Sequence, residues 1–260
     1  MDKPRAHHRT VDRVAELLEA AATFPDGASL TQLARAVGAP VSSVQKLVDG
    51  LVAVGYLDES GRRYRLGPAP YVLSLRAGRR PVSAVRHGDL AALAGRLAVP
   101  VLLAVRVGDD AVYVDWAGAD EPFDYALSSR VRGPLPDTAA GRVLLAHLPE
   151  AVRREVVRAA RPDDPAAAVA LLAETERIRR TGRETGTSGP LLPGAVAVAV
   201  PVREADGGGG DVVAALAAAD RTGALAARAD ETAVVLAGAA TTWERRAVRE
   251  GTGDGLAGPA

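Results

Sequence analysis

Apolar residues recur at helical spacing three times in the first third of the chain. The first stretch ends at the chain breakers Pro25-Asp26-Gly27. The second opens with Ser29, and Gln32 three residues later completes a capping box, in which each side chain satisfies a free backbone amide at a helix start. A tight turn leads to Pro40 and a third stretch, which has the spacing i, i+3, i+4 and i+7 in Val44, Leu47, Val48 and Leu51. This pattern predicts a helix-turn-helix.

A β-hairpin is predicted directly after the third helix. Gly55 ends that helix, and Tyr56-Leu57 is typical of a short strand. Residues 58–61 are typical of a turn, and Arg62–Leu66 of the returning strand. A hairpin at this position is the wing of a winged helix-turn-helix, so this is the architecture that we expect for the first third.

The pattern changes to a mixture of strands and helices after about residue 99. Val101–Val107 and Ala111–Ala117 flank Gly108-Asp109-Asp110, which predicts a hairpin. Tyr113 and Asp115 alternate with valines, so we expect them on one face of a half-buried strand. The remaining predicted elements are helices from Asp137 or Thr138 to Leu148, at 150–159, at 165–181 and at 230–249, and strands at 195–201 and 211–219.

These patterns predict an α+β protein with two domains. The expected organisation is a winged helix-turn-helix domain over residues 9–70, a linker over 71–80, a second domain over 81–249 and a disordered tail over 250–260.

The charge is distributed unevenly, although the chain as a whole has a formal net charge of zero. Residues 1–86 hold 13 Lys and Arg against 8 Asp and Glu, and the remainder holds the compensating excess of acid. A nucleic acid would therefore bind to the first third of the chain.

The candidate DNA contacts lie on the third helix and on the predicted wing. Polar residues near the start of a recognition helix can bond base edges or phosphates, and arginines on a wing can reach the flanking phosphates. The candidates on this ground are Ser42, Ser43, Gln45, Lys46, Arg62, Arg63 and Arg65. Asp49, one turn later, would be repelled by phosphate, so it is expected to lie clear of the backbone or to bond a cytosine amine.

The sequence favours no catalytic function. The chain has no Cys, which excludes disulfides and Cys-ligated zinc, and it carries no nucleotide-binding or hydrolase motif. His147 lies at the end of a predicted helix and is expected to be a helix-terminal or core residue. We therefore expect no enzyme activity, no metal and no cofactor. The longest apolar runs are too short to span a membrane and the N-terminus has no signal-peptide pattern, so a cytoplasmic location is expected.

Four segments in this order resemble the isocitrate lyase regulator (IclR) family of bacterial transcription factors. They are SLTQLARAVGAPVSSVQKLVDGLVAVGYLDES, YRLGP, RGPLPDTAAGRVLLAHLPE and GRETGTSGPLLPGAVAVAVPV, within a resemblance that runs from about Arg9 to Arg246. The chain departs from the family at several positions. Lys46 stands in place of an arginine, Arg142 in place of a lysine, and Val41 in place of a basic residue; the family's acidic pair is reduced to Glu184.

The resemblance implies a GAF-like C-terminal domain with an antiparallel sheet and a pocket for a small effector, often a carboxylic or aromatic acid. The free amides at the helix start of Asp137 and Thr138 would suit an organic carboxylate. Trp116, Tyr125 and Ser188 could line the wall of the pocket. The equal alternative is that Trp116 and Tyr125 belong to the core.

The resemblance also implies a homodimer, or a tetramer of two dimers, with the linker forming part of the dimer contact. The expected function is therefore a transcriptional regulator that binds double-stranded DNA and whose DNA binding is modulated by a small molecule. Repression and activation both remain open. An alternative is a protein-interaction module that keeps the winged-helix shape without binding DNA, which Val41 and Asp49 would favour.

Overall fold

The computed structural model describes residues 8–77, 82–120, 124, 127, 132–189, 193–204 and 210–253. The chain divides into two compact units between Arg80 and Pro81. The first unit contains, in chain order, α1 (Arg9–Ala22), β1 (Ala28–Ser29), α2 (Leu30–Ala36), α3 (Val41–Ala53), β2 (Leu57–Ser60), β3 (Arg63–Leu66) and α4 (Ala69–Ala77).

The first unit is a winged helix-turn-helix, as predicted. Helix α2 begins at the expected capping box: the Ser29 amide donates to Gln32 Oε1 at 2.8 Å, and the Gln32 amide donates to Ser29 Oγ at 3.3 Å. Strands β1, β3 and β2 form an antiparallel sheet in that order. The apolar faces of the three helices pack on this sheet around Leu17, Leu33, Val44, Val48 and Leu57, all of which are fully buried.

The turn of the wing lies further along the chain than the sequence indicated. The predicted turn at 58–61 is wrong, since residues 58–60 belong to β2 and pair with β3. Gly61 and Arg62 form the turn instead, with φ of 58° and 60°. Positive φ at both central residues matches the twist of a two-residue hairpin turn. Arg62 adopts this conformation although it has a Cβ, so the predicted returning strand begins at Arg63 rather than at Arg62.

The second unit is a six-stranded antiparallel sheet covered by helices on both faces, which confirms the predicted α+β class. The strand order is β6-β5-β4-β9-β8-β7. Its elements are α5 (His87–Leu97), β4 (Val101–Val107), β5 (Asp110–Ala117), β6 (Arg132–Pro134), a 3₁₀ turn (Leu135–Asp137), α6 (Ala139–Ala146), α7 (Glu150–Ala160), α8 (Pro165–Thr181), β7 (Glu184–Thr187), β8 (Val196–Arg203), β9 (Val212–Asp220), α9 (Ala224–Ala227) and α10 (Ala229–Gly253).

The end of one helix and the register of one strand pair differ from the sequence pattern. Helix α10 runs to Gly253, beyond residue 249, and residues 254–260 of the predicted tail lie outside the described residues. The register of β4 and β5 shifts at Leu103/Ala104, so that Tyr113 pairs with Ala104 and Asp115 with Leu103. This bulge places Tyr113 and Asp115 on opposite faces of the sheet, and the prediction of a shared face is therefore wrong.

The two faces of the large sheet carry different side chains. The face toward α5 and α10 consists largely of valine and leucine, among them Val198, Val200 and Leu216. The face toward α6 is built almost entirely from alanine on the three central strands, namely Ala104, Ala197, Ala199, Ala215, Ala217 and Ala219. Small side chains on this face allow α6 to approach the sheet closely, and every residue of α6 except Arg142 is buried.

Helix α6 depends on a glycine at its first turn. A Cβ on Gly141 would lie 2.3 Å from the carbonyl oxygen of Leu135 and 2.8 Å from Thr138 Oγ1. We expect Gly141→Ala to lower the free energy of unfolding by about 1–3 kcal/mol because the added carbon has no space. Chemical denaturation of the full chain measures this change.

The matched control is Gly95→Ala in α5, where an added Cβ would meet no atom within 4 Å. This change is expected to raise the free energy of unfolding by about 0.4–1 kcal/mol, because alanine has less backbone entropy to lose than glycine. Equal destabilisation by both substitutions would contradict the close contact at Gly141.

His147 makes the stability of the second unit depend on pH. It is the C-cap of α6, and its Nδ1 lies 2.9 Å from the carbonyl oxygen of Val143. Burial lowers the pKa of His147 below its usual 6.5, and nearby arginines such as Arg203 lower it further. The unfolded chain therefore takes up a proton first as the pH falls.

We accordingly expect the free energy of unfolding to fall as the pH drops below about 6.5, and His147→Asn to flatten that part of the profile. Denaturation midpoints between pH 5 and 7.5 test this expectation. A variant with the same dependence on pH as the parent chain would assign the effect to other groups.

Candidate functional site

The candidate DNA contacts on α3 lie on the solvent side of the helix. Ser42, Ser43 and Lys46 are exposed, whereas Val44 and Val48 of the same helix are fully buried in the core of the first unit. The helix begins after Pro40, and its first amides have no partner within the helix. The N-terminal end of α3 thus presents two hydroxyls, one ammonium group and free amides to solvent.

Gln45 is engaged within the protein. Its Nε2 donates to Asp49 Oδ1 at 2.6 Å, and its side chain lies near the phenol of Tyr64 on β3, which donates to Glu59 Oε1 at 3.4 Å. Burial raises the pKa of Tyr64 above its usual 10.0. Gln45 therefore lies between the exposed side of α3 and the wing. Its hydrogen bond gives the Asp49 carboxylate a partner, without which that carboxylate would face phosphate unpaired.

The three arginines of the wing have different environments. Arg63 donates from Nη1 to the carbonyl oxygen of Gly27 at 2.7 Å, which fixes it against the loop before β1. Gly27 has φ of 80°, and a Cβ there would lie 3.0 Å from Cγ of Arg65. Arg62 lies at the tip of the wing, and all three arginines are exposed. Arg62 and Arg65 are consequently the better placed of the three to meet a phosphate.

The candidate effector site is built around the start of α6. Thr138 is the N-cap of that helix, fully buried, and its Oγ1 accepts a hydrogen bond from the Gly141 amide at 2.9 Å. The amides of Ala139 and Ala140 have no partner within the helix because they belong to its first turn. Both residues are buried. The start of α6 therefore presents two buried N–H donors beside a capped hydroxyl.

Ser188 and Asp137 lie near Thr138, at the start of α6. A Cβ on Gly189, which has φ of 64°, would lie 2.4 Å from the carbonyl oxygen of Asp137. The chain after β7 thus packs directly on the 3₁₀ turn that precedes α6. Ser188 is 1% exposed, and its Oγ has no hydrogen-bond partner among the described residues. A buried hydroxyl without a partner is costly, and a bound molecule could supply that partner.

Tyr113 completes this group from the sheet. Burial raises the pKa of Tyr113 above the usual 10.0, and the neighbouring side chain of Thr138 opposes this rise. The sequence analysis assigned Tyr113 only to a strand face. The bulge at Leu103/Ala104, which leaves no clear sign in the sequence, brings it to the α6 side of the sheet.

Trp116 lies in another part of the second unit. It lines a cavity of about 380 Å³, which does not include Asp137, Thr138 or Ser188. Its Nε1 donates to Asp124 Oδ1 at 2.6 Å. Across the same cavity, His87 Nδ1 lies 2.8 Å from Asp115 Oδ1. The structure therefore brings together three of the five effector-site candidates, and Tyr125 lies outside the described residues.

The charged side chains around the start of α6 are paired with one another. Arg142 donates from Nε to Glu184 Oε1 at 3.0 Å and from Nη1 to the carbonyl oxygen of Pro136 at 3.2 Å. Arg177 also donates to Glu184, which is fully buried, and Arg161 lies 3.3 Å from Asp137 Oδ1. Burial raises the pKa of the Glu184 carboxyl, whereas Arg142 lowers it.

The sequence analysis missed this ion-pair network. Arg142 and Glu184 were noted only as departures from a family pattern. Only Arg142 had a signal in the sequence, since it interrupts the apolar run at 139–146, whereas Glu184 lies in a polar segment directly after Arg183. Breaking such a pair leaves a buried charge and is strongly destabilising, so these residues hold the turn before α6 against β7.

Metal ligands and membrane spans can be assessed in the part of the chain that the structure describes. Within it, no group of three His, Cys, Asp or Glu side chains is placed to hold a metal ion. No helix there is both long and apolar enough to cross a bilayer.

Two family models match the chain. The IclR helix-turn-helix domain matches residues 10–61, and the C-terminal domain of the bacterial transcriptional regulator IclR matches residues 76–241. The HTH-type transcriptional regulator TtgV of Pseudomonas putida is 32% identical over 144 residues, so the match spans 55% of each chain, about half of TtgV. The transcriptional regulator SauR of Cupriavidus necator is 32% identical over 203 residues, 73% of this chain and 77% of the relative.

Solved structures of similar proteins share the fold. An IclR homolog from Microbacterium hydrocarbonoxydans, complexed with 4-hydroxybenzoate, has a TM-score of 0.64 at 24% identity and covers 92% of this chain and 99% of its own. An ICLR transcriptional regulator from Silicibacter sp. TM1040 has a TM-score of 0.67 at 24% identity and covers 92% of this chain and 96% of its own. At this identity the likeness establishes the fold.

Proposed function

The chain belongs to the IclR family of bacterial transcriptional regulators, and from this premise we propose that its winged helix binds operator DNA and that a small effector binds at the start of α6. The family assignment confirms the resemblance seen in the four sequence motifs. The chain is thus a transcriptional regulator with a helix-turn-helix DNA-binding domain and a C-terminal effector-binding domain. The proposal places it in the cytoplasm and includes no catalytic step.

In the DNA complex, α3 enters the major groove with its N-terminal end. Ser42, Ser43 and Lys46 then bond base edges or phosphates, and Arg62 and Arg65 bond phosphates beside the groove. Gln45 keeps its bond to Asp49 and orients α3 against the wing. Recognition of the operator bases therefore depends mainly on the two serines and Lys46.

The DNA proposal predicts a specific loss of salt dependence. Arg62→Ala and Arg65→Ala should each weaken binding at low salt and reduce the slope of log affinity against log salt concentration by about 1, because each removes one phosphate contact. Fluorescence anisotropy with a fragment selected from fragmented genomic DNA measures this slope at several salt concentrations.

Arg158→Ala, an exposed cation on α7 of the second unit, is the matched control and should leave the slope unchanged. Equal slopes for all variants, or equal affinity for selected and unrelated fragments, would favour a winged helix that contacts protein instead of DNA.

One observation carries the effector proposal: the two buried amides at the start of α6 adjoin the segment of Ser188, whose buried hydroxyl has no partner among the described residues. Amides at a helix start attract a carboxylate or another oxygen acceptor. Alanines on the sheet and Tyr113 provide an apolar, partly aromatic surrounding. The proposed ligand is a small organic molecule with an oxygen acceptor on an apolar or aromatic body, which is the chemistry of 4-hydroxybenzoate.

Removal of the Ser188 hydroxyl should weaken effector binding. A panel of monocyclic aromatic acids, phenols and short aliphatic acids, with 4-hydroxybenzoate first, is titrated into the protein by calorimetry. Ser188→Ala is expected to reduce the affinity for the compound that binds best by about three- to tenfold, the effect of one hydrogen bond.

Ser83→Ala, at an exposed position in the second unit, is the control and should bind as the parent chain does. DNA affinity without effector should be the same for all three proteins. Unchanged effector affinity in Ser188→Ala would place the site elsewhere, and the cavity beside Trp116 would be examined next.

The regulator is proposed to act as a homodimer through α4. Tyr71, Leu73 and Leu75 of this helix are 67%, 51% and 61% exposed, and α4 has no buried residue. Pairing of two such helices would bury these side chains, as the family resemblance implies for the linker. Two-fold symmetry would then be matched by a palindromic operator. The effector shifts the population of DNA-binding dimers by its difference in affinity for the two states.

A further inference from the structure

Asp49 lies in the middle of the exposed face of α3. Ser42, Lys46 and Asp49 follow one another at the helical spacing i, i+4 and i+7, and all three are exposed. Val44 and Val48 point the other way, into the core of the first unit. From Ser42 to Asp49 the helix rises by about 10 Å, the height of about three base-pair steps. A helix that presents Ser42 and Lys46 to DNA therefore presents the Asp49 carboxylate as well.

The structure fixes one oxygen of this carboxylate and leaves the other without a partner. Gln45 Nε2 donates to Asp49 Oδ1 at 2.6 Å, and Gln45 is itself half-buried, so the bond limits the orientations of the carboxylate. Among the residues that the structure describes, neither Asp49 Oδ2 nor the ammonium group of Lys46 has a hydrogen bond or an ion pair. The exposed face of α3 thus offers one acceptor and one cationic donor, three residues apart.

Packing within the first unit does not account for Gly50, the residue after Asp49. Gly50 lies inside α3 and is exposed, and an added Cβ would meet no atom within 4 Å. A glycine inside a helix makes that helix less stable than an alanine would. Ala53, three residues further along, is also small and exposed. Small side chains here let the backbone of α3 come close to the floor of a groove, so that a side chain as short as aspartate reaches a base edge.

The chemistry of the base edges decides what the Asp49 carboxylate can face. Phosphates repel it, and so do O6 and N7 of guanine and O4 of thymine, which are acceptors. The amine of adenine lies between two acceptors of its own base pair, N7 and the thymine O4. The N4 amine of cytosine has an acceptor on one side only, and that acceptor, O6 of the paired guanine, can bond a lysine together with N7. A G·C pair is therefore the complement of an acceptor beside a cation.

We propose that Asp49 and Lys46 together recognise one G·C base pair in each half-site, the part of the operator that one winged helix binds. Asp49 Oδ2 accepts a hydrogen bond from the cytosine N4 amine, and Lys46 donates to O6 and N7 of the guanine. Gln45 is a positioning residue, since it holds the carboxylate through Oδ1. This inference rests on the proposed binding of DNA by α3, and it names the base pair that the helix selects. Repulsion from thymine and guanine contributes to the selection as much as attraction to cytosine does.

Modification of single cytosines tests the role of Asp49. N4-methylcytosine still pairs with guanine, but its methyl group replaces the amine hydrogen that faces the major groove. Each cytosine of the operator fragment selected from genomic DNA is replaced in turn, and fluorescence anisotropy gives the affinity of the full chain. At one cytosine of each half-site the methyl group should weaken binding of the parent chain about tenfold, because a hydrogen bond to a charged group is lost. Asp49→Ala should bind the two fragments that differ at this cytosine within about twofold of each other.

The guanine paired with that cytosine tests the role of Lys46. 7-Deazaguanine has a carbon in place of N7, so it removes one acceptor and keeps the base pair. It is expected to weaken binding of the parent chain and of Asp49→Ala by about threefold or more, and to leave the affinity of Lys46→Ala unchanged. Equal sensitivity of the parent chain and Lys46→Ala to 7-deazaguanine would overturn the assignment of the two residues to one base pair.

Two further variants separate base recognition from net charge and from folding. Glu16→Gln removes the same charge from an exposed position on α1 and should keep the full effect of the methylated cytosine. Gly50→Ala should raise the unfolding midpoint, because alanine favours the helix, and yet weaken binding of the unmodified fragment, because the added carbon holds α3 away from the groove.

The results distinguish failure of this inference from failure of the proposed DNA binding. Preference for the selected fragment, with no cytosine at which the effect of methylation depends on Asp49, would overturn the inference and leave the proposed function in place. Equal affinity for selected and unrelated fragments would overturn both.

Discussion

The close packing of the first turn of α6 is the constraint on which the second unit depends. Gly141 contacts the carbonyl oxygen of Leu135, and Gly189 contacts that of Asp137, at distances that leave no room for a Cβ. These contacts require glycine at both positions, and the alanines on the facing strands let α6 approach the sheet. They also bring the segment that contains Ser188 against the start of α6, where Ala139 and Ala140 are buried. The same packing that closes the core therefore forms the place where we propose that the effector binds.

The charged side chains around the start of α6 are paired with one another within the protein. Arg142 and Arg177 pair with Glu184 and Glu174, and Arg161 lies against Asp137, so these three arginines face three carboxylates. An oxygen acceptor on the proposed effector would then be attracted by the fixed amide dipoles of α6 rather than by a free cation. A polar side chain is paired in the same way in the first unit. Gln45 hydrogen-bonds the Asp49 carboxylate, which leaves Lys46 as the principal charge without such a bond on the exposed side of α3.

Much of the fold could be predicted from local patterns. The capping box of α2, the spacing of Val44 and Val48, and the strand pairs of the second unit are properties of short segments, and each was predicted at nearly the right place. The wing turn was not, because Arg62 takes a left-handed conformation that its residue type does not suggest.

The site was less accessible to sequence reasoning because it depends on tertiary contacts. Asp137 and Thr138 were found from the helix start and Ser188 from a motif, and the structure places these three together. Tyr113 was missed because one bulge changes the face on which it lies. Arg142 and Glu184 are 42 residues apart in the chain, and only the packing of α6 on β7 makes them partners.

The central claim is that an effector binds to the free amides at the start of α6. Amide hydrogen exchange of the full chain, read residue by residue by NMR with and without the best-binding compound of the aromatic and aliphatic panel, tests it most directly. The account predicts slower exchange at Ala139 and Ala140 and at Ser188, with little change at Trp116. Protection centred on Trp116 and Asp115, with Ala139 and Ala140 unchanged, would contradict it.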